Sequence, residues 1–220
     1  MAIGRGLFIS IEGGEGAGKT AQCRALAAHL ERRGEAVRVV REPGGTELGE
    51  QIRQIVLFTR DLTLTPEAEA LLFSTARAQL TREVIRPALE MRMHVIADRF
   101  FDSTIAYQGY GGGADLNGLR ALTRFAVGET LPDLTFLLDL PIETARARAQ
   151  QRSDRWDRIE AHDGSFHERV RHGYLAMARE EPSRWVVLDA THPEVEVTHL
   201  VMARVDQELE RRSNRIPTRR

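Results

Sequence analysis

The stretch GGEGAGKT, residues 13–20, constrains this chain more than any other. It satisfies the pattern G-x-x-x-x-G-K-[ST] in full, with Gly13, Gly18, Lys19 and Thr20 at the fixed positions. A short apolar run, LFISIE (7–12), leads into it and stops at the glycines, as a buried strand does. A helical pattern follows, with Ala25, Leu26, Ala28, His29 and Leu30 at helical spacing and Gly34 as the stop. Strand, glycine turn and helix make the setting in which backbone N–H groups curl round a polyphosphate and the helix N-terminus faces the anion. Gly13, Gly14, Glu15, Gly16, Ala17 and Gly18 would form that nest. Lys19 would reach the β- and γ-phosphates of ATP, and the Thr20 hydroxyl would ligate Mg2+. Lys19 is also the only lysine in the chain; every other fixed cation is arginine. Arginine is a wide planar fork and lysine a compact ammonium. Compositional bias accounts for the missing lysines, and fit to the loop for the one retained.

Further strand patterns occur at 36–40, 94–98, 134–140 and 185–190. Helical patterns cover 19–33, 49–58, 66–91, 102–109, 116–128, 141–152, 166–181 and 193–212. Pro87 is expected to kink or interrupt the third of these. EPGGT (42–46) reads as a turn, and GYGGGAD (109–115) as a loop by composition. Strands alternating with helices predict an α/β fold: five parallel strands with helices on both faces. No linker-like composition divides the chain. We expect one domain over 1–212, an arginine-rich lid at about 146–162, and a frayed basic tail at 213–220.

Composition excludes several classes. The formal net charge is -1, so no global field draws the chain to nucleic acid or an anionic membrane. One cysteine, Cys23, allows no intrachain disulfide and no cysteine metal cluster, which suits a reducing cytosol. No run of about 18 apolar residues exists, and the N-terminus lacks a signal-peptide pattern. A cytoplasmic protein without nucleic-acid or membrane partners is the expectation.

A phosphate loop alone does not choose between a kinase, an ATPase and a GTPase switch. A guanine switch would need N-K-x-D, which a chain with no lysine beyond Lys19 cannot contain. Three predicted strands end in aspartate, at Asp98, Asp139 and Asp189, and any could orient Mg2+, usually through water. Asp98 stands out because Arg99 follows and could fork onto a second phosphate. ARARAQQRSDRWDRIE holds Arg146, Arg148, Arg152, Arg155 and Arg158 among acids. It reads either as a solvated helix end or as a lid that brings arginine to a transferring phosphoryl group.

The stretches FISIEGGEGAGKT, REPGGT, ALLFSTARAQ, DRFFDSTIAYQG, PDLTFLLDLP and DRIE together resemble the bacterial thymidylate kinases, P-loop nucleoside monophosphate kinases that phosphorylate dTMP with ATP. The resemblance implies the P-loop kinase fold, ATP with Mg2+, dTMP as acceptor and a homodimer built on helices flanking the sheet. It implies that Phe73 stacks on thymine and that Arg77, one helical turn on, hydrogen-bonds the base carbonyl. Arg99 would hold the acceptor phosphate, with Asp98 near Mg2+. Thr104 and Gln108 would meet the base edge, and Tyr107 would crowd the 2′ side of the sugar. Arg41 and Glu42 would lie at the end of the second strand, near the monophosphate. Glu15 would pair with a neighbouring arginine or bind the sugar 3′-hydroxyl. The loop's variable positions hold no arginine, so the catalytic arginine would come from the lid, as Arg152 or Arg155. The sequence departs from many relatives at Phe100, where they carry Tyr or His. A kinase for another nucleoside monophosphate or small metabolite is the first alternative, against which only Phe73, Arg77 and Tyr107 favour thymidylate; a nucleotide-dependent switch or binding module without substrate phosphorylation is the second.

Overall fold

Alternation along the apolar runs sends successive side chains to opposite faces of one sheet. The computed structural model describes residues 5–59, 61–150, 158–159 and 162–214, without the side chains of 149–150. In β1 (Phe8–Gly13), Ile9 and Ile11 face one layer and Phe8 the other. The same split divides Ile96 from Val95 and Ala97 in β3 (His94–Asp98). With β2 (Val37–Arg41), β4 (Leu134–Asp139) and β5 (Trp185–Asp189), these strands pair in parallel in the order β2-β3-β1-β4-β5. β1 is central and buried along its whole length, so the phosphate loop leaves from the middle of the sheet.

On one face lie α1 (Lys19–Arg32) and α9 (Glu194–Ser213), where Leu26, Leu30, Val201 and Val205 meet Ile9, Ile11 and Phe136. Burying each such aliphatic side chain contributes about 1.5–3 kcal/mol. The opposite layer includes α3 (Pro66–Leu80), α5 (Phe101–Thr104) and α8 (Gly164–Glu180). There Leu80 and Phe100 pack on Phe8 and Ala97, and Tyr107, Tyr174 and Trp185 pack with Leu137. The remaining helices are α2 (Glu47–Arg53), α4 (Arg86–Glu90), α6 (Leu116–Val127) and α7 (Ile142–Gln150). Side-chain caps set several starts. Thr65 accepts from Ala68 N–H ahead of Pro66, Asp115 from Gly118 N–H, and Asp163 from Phe166 N–H.

Two segments carry π-helical turns for identifiable reasons, and the second differs from expectation. The helix predicted over 66–91 is interrupted next to Pro87, as expected, without ending there. A π-helical turn, Thr81–Ile85, joins α3 to α4 just before the proline. Proline lacks an N–H and crowds the carbonyl four residues back, and the wider turn relieves that conflict while the chain continues. The helix starting at Phe101 runs on as a π-helical turn, Ile105–Gly111, through the first glycines of the expected loop. A Cβ at Gly111 would sit 2.8 Å from the side chains of Phe166 and Val170, and one at Gly173 would sit 2.6 Å from the Tyr110 ring. These glycines serve the close approach of α8; the turn itself falls at Gly113, where φ is 83°.

The first arginines of the expected lid, Arg146 and Arg148, lie on α7. Arg152 and Arg155, and the tail from residue 215, lie outside the described residues. Among the described residues no helix is long and apolar enough to cross a membrane.

Candidate active site

In a parallel sheet the carboxyl ends of the strands open onto a shared crevice. Here β1 ends in the phosphate loop, β2 in Arg41-Glu42 and β3 in Asp98-Arg99, with Asp98 in register with both Ile11 and Arg41. A cleft of about 1270 Å³ runs from the loop past Arg99 to Phe73, Arg77, Thr104 and Gln108.

Gly16 and Gly18 adopt φ of 74° and 93°, which other residues avoid, and this curls the loop. Ala17 is buried in the core beneath it. Lys19 is 8% exposed, and its Nζ donates to the Gly14 carbonyl at 2.7 Å. Burial, then the charge of Arg99, holds the Lys19 ammonium below its ordinary pKa, while Glu15, Asp98 and Glu12 pull the other way. An incoming polyphosphate would restore what burial removes.

Geometry separates the three aspartates. Asp139 takes a two-point ion pair from Arg171, at 2.7 and 2.9 Å. Asp189 accepts from the Thr191 N–H and hydroxyl, at 2.8 and 2.6 Å. Asp98 alone of the three meets the loop: its Oδ2 accepts from Thr20 Oγ1 at 2.5 Å. Two adjacent hard oxygen donors beside a polyphosphate nest fit Mg2+, which takes one or two protein ligands and completes its shell with water and phosphate.

Arg99 follows β3 with φ of 69°, unusual for a residue with a side chain. Nη1 donates to the Gly13 carbonyl at 3.0 Å and to Ser103 Oγ and the Tyr174 hydroxyl, both at 3.3 Å. Nη2 donates to Glu15 and, at 3.0 Å, to the Tyr107 hydroxyl, which itself donates to Glu15 at 3.1 Å. The guanidinium carbon lies 4.9 Å from the Tyr107 ring centre. The acid inside the phosphate loop is therefore matched to a cation, the arginine pairing of the two arrangements expected for Glu15.

At the far end, Arg77 on α3 is 2% exposed. Its Nε donates to Glu42 Oε2 at 2.7 Å and its Nη2 to Thr104 Oγ1 at 3.0 Å. Nη1 is buried beside them without a hydrogen-bond partner, as is Glu42 Oε1. A buried orphan donor is costly, and it sits one helical turn from Phe73. Burial pushes the Glu42 carboxyl up to about 7 against the opposing charge of Arg77. Gln108 Nε2 donates to Glu69 Oε2 at 2.9 Å, and Glu69 also pairs with Arg158 at 2.6 Å. Arg41 turns to the open side and pairs with Glu50 at 3.0 Å. Glu50 also accepts from Gly45 N–H, bracing the REPGGT turn.

Several participants went unnoticed in the sequence. Glu12 is fully buried and accepts from Ser10 Oγ, Phe100 N–H and Ser103 Oγ, each at 2.7 Å, and from the Tyr174 hydroxyl at 3.1 Å. Burial pushes its carboxyl up, with Asp102 adding to this; hydrogen bonds from Ser10 and Ser103 and the charge of Arg99 oppose it. Asp102 is held by Arg184 at 2.6 and 2.9 Å. An acid at the end of a largely apolar strand was the available sign for Glu12. Tyr174, from a distant helix, offered none.

The family model for thymidylate kinase matches residues 11–201. The chain is 49% identical over 204 residues to the thymidylate kinase of Thermomicrobium roseum, covering 93% of this chain and 96% of that one. It is 48% identical over 205 residues to that of Deinococcus radiodurans, covering 93% and 98%. Among solved structures, the thymidylate kinase of Ehrlichia chaffeensis superposes with a TM-score of 0.74 at 32% identity, covering 92% of this chain and 99% of that one.

Proposed function

The chain belongs to the thymidylate kinase family, and from that premise we propose that it transfers the terminal phosphoryl group of ATP to dTMP, giving ADP and dTDP. The observation that carries this reading is the continuous cleft, with a phosphate loop at one end and the Phe73–Arg77 pair at the other. Arg99 lies between them, where two phosphates would meet.

Phosphoryl transfer asks the protein for positioning and charge stabilisation rather than a covalent nucleophile. In our reading the residues 13–20 cradle the triphosphate and Lys19 balances charge on its outer phosphates. Mg2+, held by Thr20 and Asp98 partly through water, would neutralise charge on the β- and γ-phosphates. Arg99 forks onto the dTMP phosphate, whose own oxygen attacks. That oxygen is only weakly basic, so no strong general base is needed. Phe73 stacks on thymine, and the partnerless Nη1 of Arg77 donates to its carbonyl. Thr104 and Gln108 face the base edge, Tyr107 and Glu15 the sugar, and Arg41 and Glu42 brace the monophosphate side. The transferring group needs one more cation, which we assign to Arg152 or Arg155. We also read the enzyme as a cytoplasmic homodimer. Leu71 on α3 and Phe125 on α6 expose apolar side chains on helices that pack together, and Cys23 is a buried free thiol.

Turnover of dTMP, dUMP, CMP, GMP and AMP tests the assignment. The highest kcat/KM is expected on dTMP, and preference for a purine overturns it. Arg77→Met is expected to raise KM for dTMP about 10- to 100-fold, the worth of a hydrogen bond from a charged donor. KM for ATP should stay within about twofold, since Arg77 lies at the base end.

Glu42 adds a pH dependence. Its carboxyl titrates at about 7 in the folded chain, above its ordinary 4.5, so the carboxylate that anchors Arg77 is lost as pH falls through 7. Base recognition should then weaken, and KM for dTMP should rise between pH 8 and 6. The effect on stability has the opposite sign. A raised carboxyl pKa contributes stability below the unfolded value that is lost as pH rises through the folded one. The dTMP phosphate itself titrates near 6, so the informative quantity is the difference between wild type and Glu42→Gln. The two KM profiles should converge toward pH 6; parallel profiles would exclude this role.

A further inference from the structure

We propose that Glu12, Ser103 and Tyr174 form a positioning set that fixes the Arg99 guanidinium for the acceptor phosphate. The proposal rests on the reading of Arg99 as the residue that takes that phosphate.

Arg99 begins from a left-handed backbone and must bring a long side chain back over the end of β1 to the Gly13 carbonyl. A free arginine side chain spreads over many rotamers, which ordering at this spot must suppress. Glu15 and Tyr107 grip Nη2 from the cleft side, where substrate must enter. Nη1 is gripped by Ser103 Oγ, which also lines the cleft, and by the hydroxyl of the buried Tyr174. Arginine can only donate, so both hydroxyls must offer lone pairs to it.

Glu12 enforces that polarity. Its Oε2 accepts from Ser103 Oγ at 2.7 Å and from the Tyr174 hydroxyl at 3.1 Å, and the two hydroxyls lie 2.8 Å apart. These three contacts share the two available hydroxyl hydrogens, so both are spent within the trio and neither points at Arg99. Glu12 Oε1 meanwhile accepts from the N–H of Phe100, the residue after Arg99. One buried carboxylate thus holds both the turn that launches Arg99 and the hydroxyls that receive it. Glu12 reaches this place because it shares a strand face with Phe8 and Ser10, and it is followed directly by Gly13, whose carbonyl is the third acceptor for Nη1.

The Ser103→Ala/Tyr174→Phe double variant removes two hydroxyls and little volume. In its ligand-free crystal structure the Arg99 guanidinium is expected to leave the Gly13 carbonyl; a guanidinium still within hydrogen-bond distance overturns the proposal. This measurement does not depend on the reaction, so it decides the matter even if dTMP proves not to be the acceptor, in which case only the functional reading fails. In steady-state kinetics the same variant should lower kcat/KM for dTMP about tenfold, the worth of a hydrogen bond to a charged group, with KM for ATP unchanged. In an Arg99→Ala background the loss should vanish, because the set acts through Arg99. A loss that persists there marks a merely structural role and overturns the proposal. Glu12→Gln would turn an amide toward the hydroxyls and send their hydrogens toward Arg99. It should cost more than the double variant; an equal or smaller loss removes Glu12 from the set.

Discussion

Lys19→Arg is expected to lower kcat about 100- to 1000-fold, the range seen when one preorganised charge-stabilising group is lost. The ammonium occupies a buried position inside the curled loop, with Nζ on the Gly14 carbonyl at 2.7 Å. Gly16 and Gly18, at φ of 74° and 93°, curl the loop around it. A guanidinium is longer, planar and fork-shaped, and its charge would not lie where the ammonium lies. The chain uses arginine at every other fixed cation, so this variant asks whether charge or shape selects lysine here. Charge is retained, and burial already works against the cation at this site. The loss should therefore fall on kcat, with thermal stability little changed. Steady-state kinetics and a thermal melt check it; near-normal kcat would refute the fit argument.

Arg99→Ala should lower kcat/KM for dTMP by about 1000-fold or more, a loss of the size reported when a phosphoryl-transfer arginine is removed. Two effects add. The fork for the acceptor phosphate disappears, and with it the bidentate geometry that arginine supplies and lysine does not. Glu15, Glu12 and Asp98 then surround the site without the cation that offsets them, and their field repels a dianionic substrate. KM for ATP should change far less, because Lys19 and the loop amides remain. Arg99→Lys should recover only part of the loss, since it restores charge without the fork. Equal recovery by lysine would mean that charge alone matters at this position. Kinetics with each substrate varied in turn distinguishes these outcomes.

The phosphate loop was legible because its chemistry is local. Eight consecutive residues, a strand pattern before and a helix pattern after are all that it needs. The strand and helix spans were legible for the same reason, since alternation and helical spacing are short-range patterns. The glycines at 109–113 misled because composition cannot tell a flexible loop from a helical turn stripped of side chains for close packing, as at Gly109 against Leu116 and Gly111 against α8.

Within the site, the residue types were readable and their partners were not. Asp98, Asp139 and Asp189 each end a strand, and only the Arg99 that follows set Asp98 apart in the chain; packing gives the other two to Arg171 and Thr191 and turns Asp98 to Thr20. Glu15 was expected to pair with an arginine or with the sugar, and only the fold brings Arg99, 84 positions away, to meet it. Tyr174 lies 162 positions from the Glu12 it bonds and 75 from the Arg99 it supports. Sequence by itself determined a phosphate-binding loop, a parallel α/β sheet and, through resemblance, the family. Only the tertiary structure decided which buried carboxylate faces which cation, because that pairing depends on how distant segments are desolvated together.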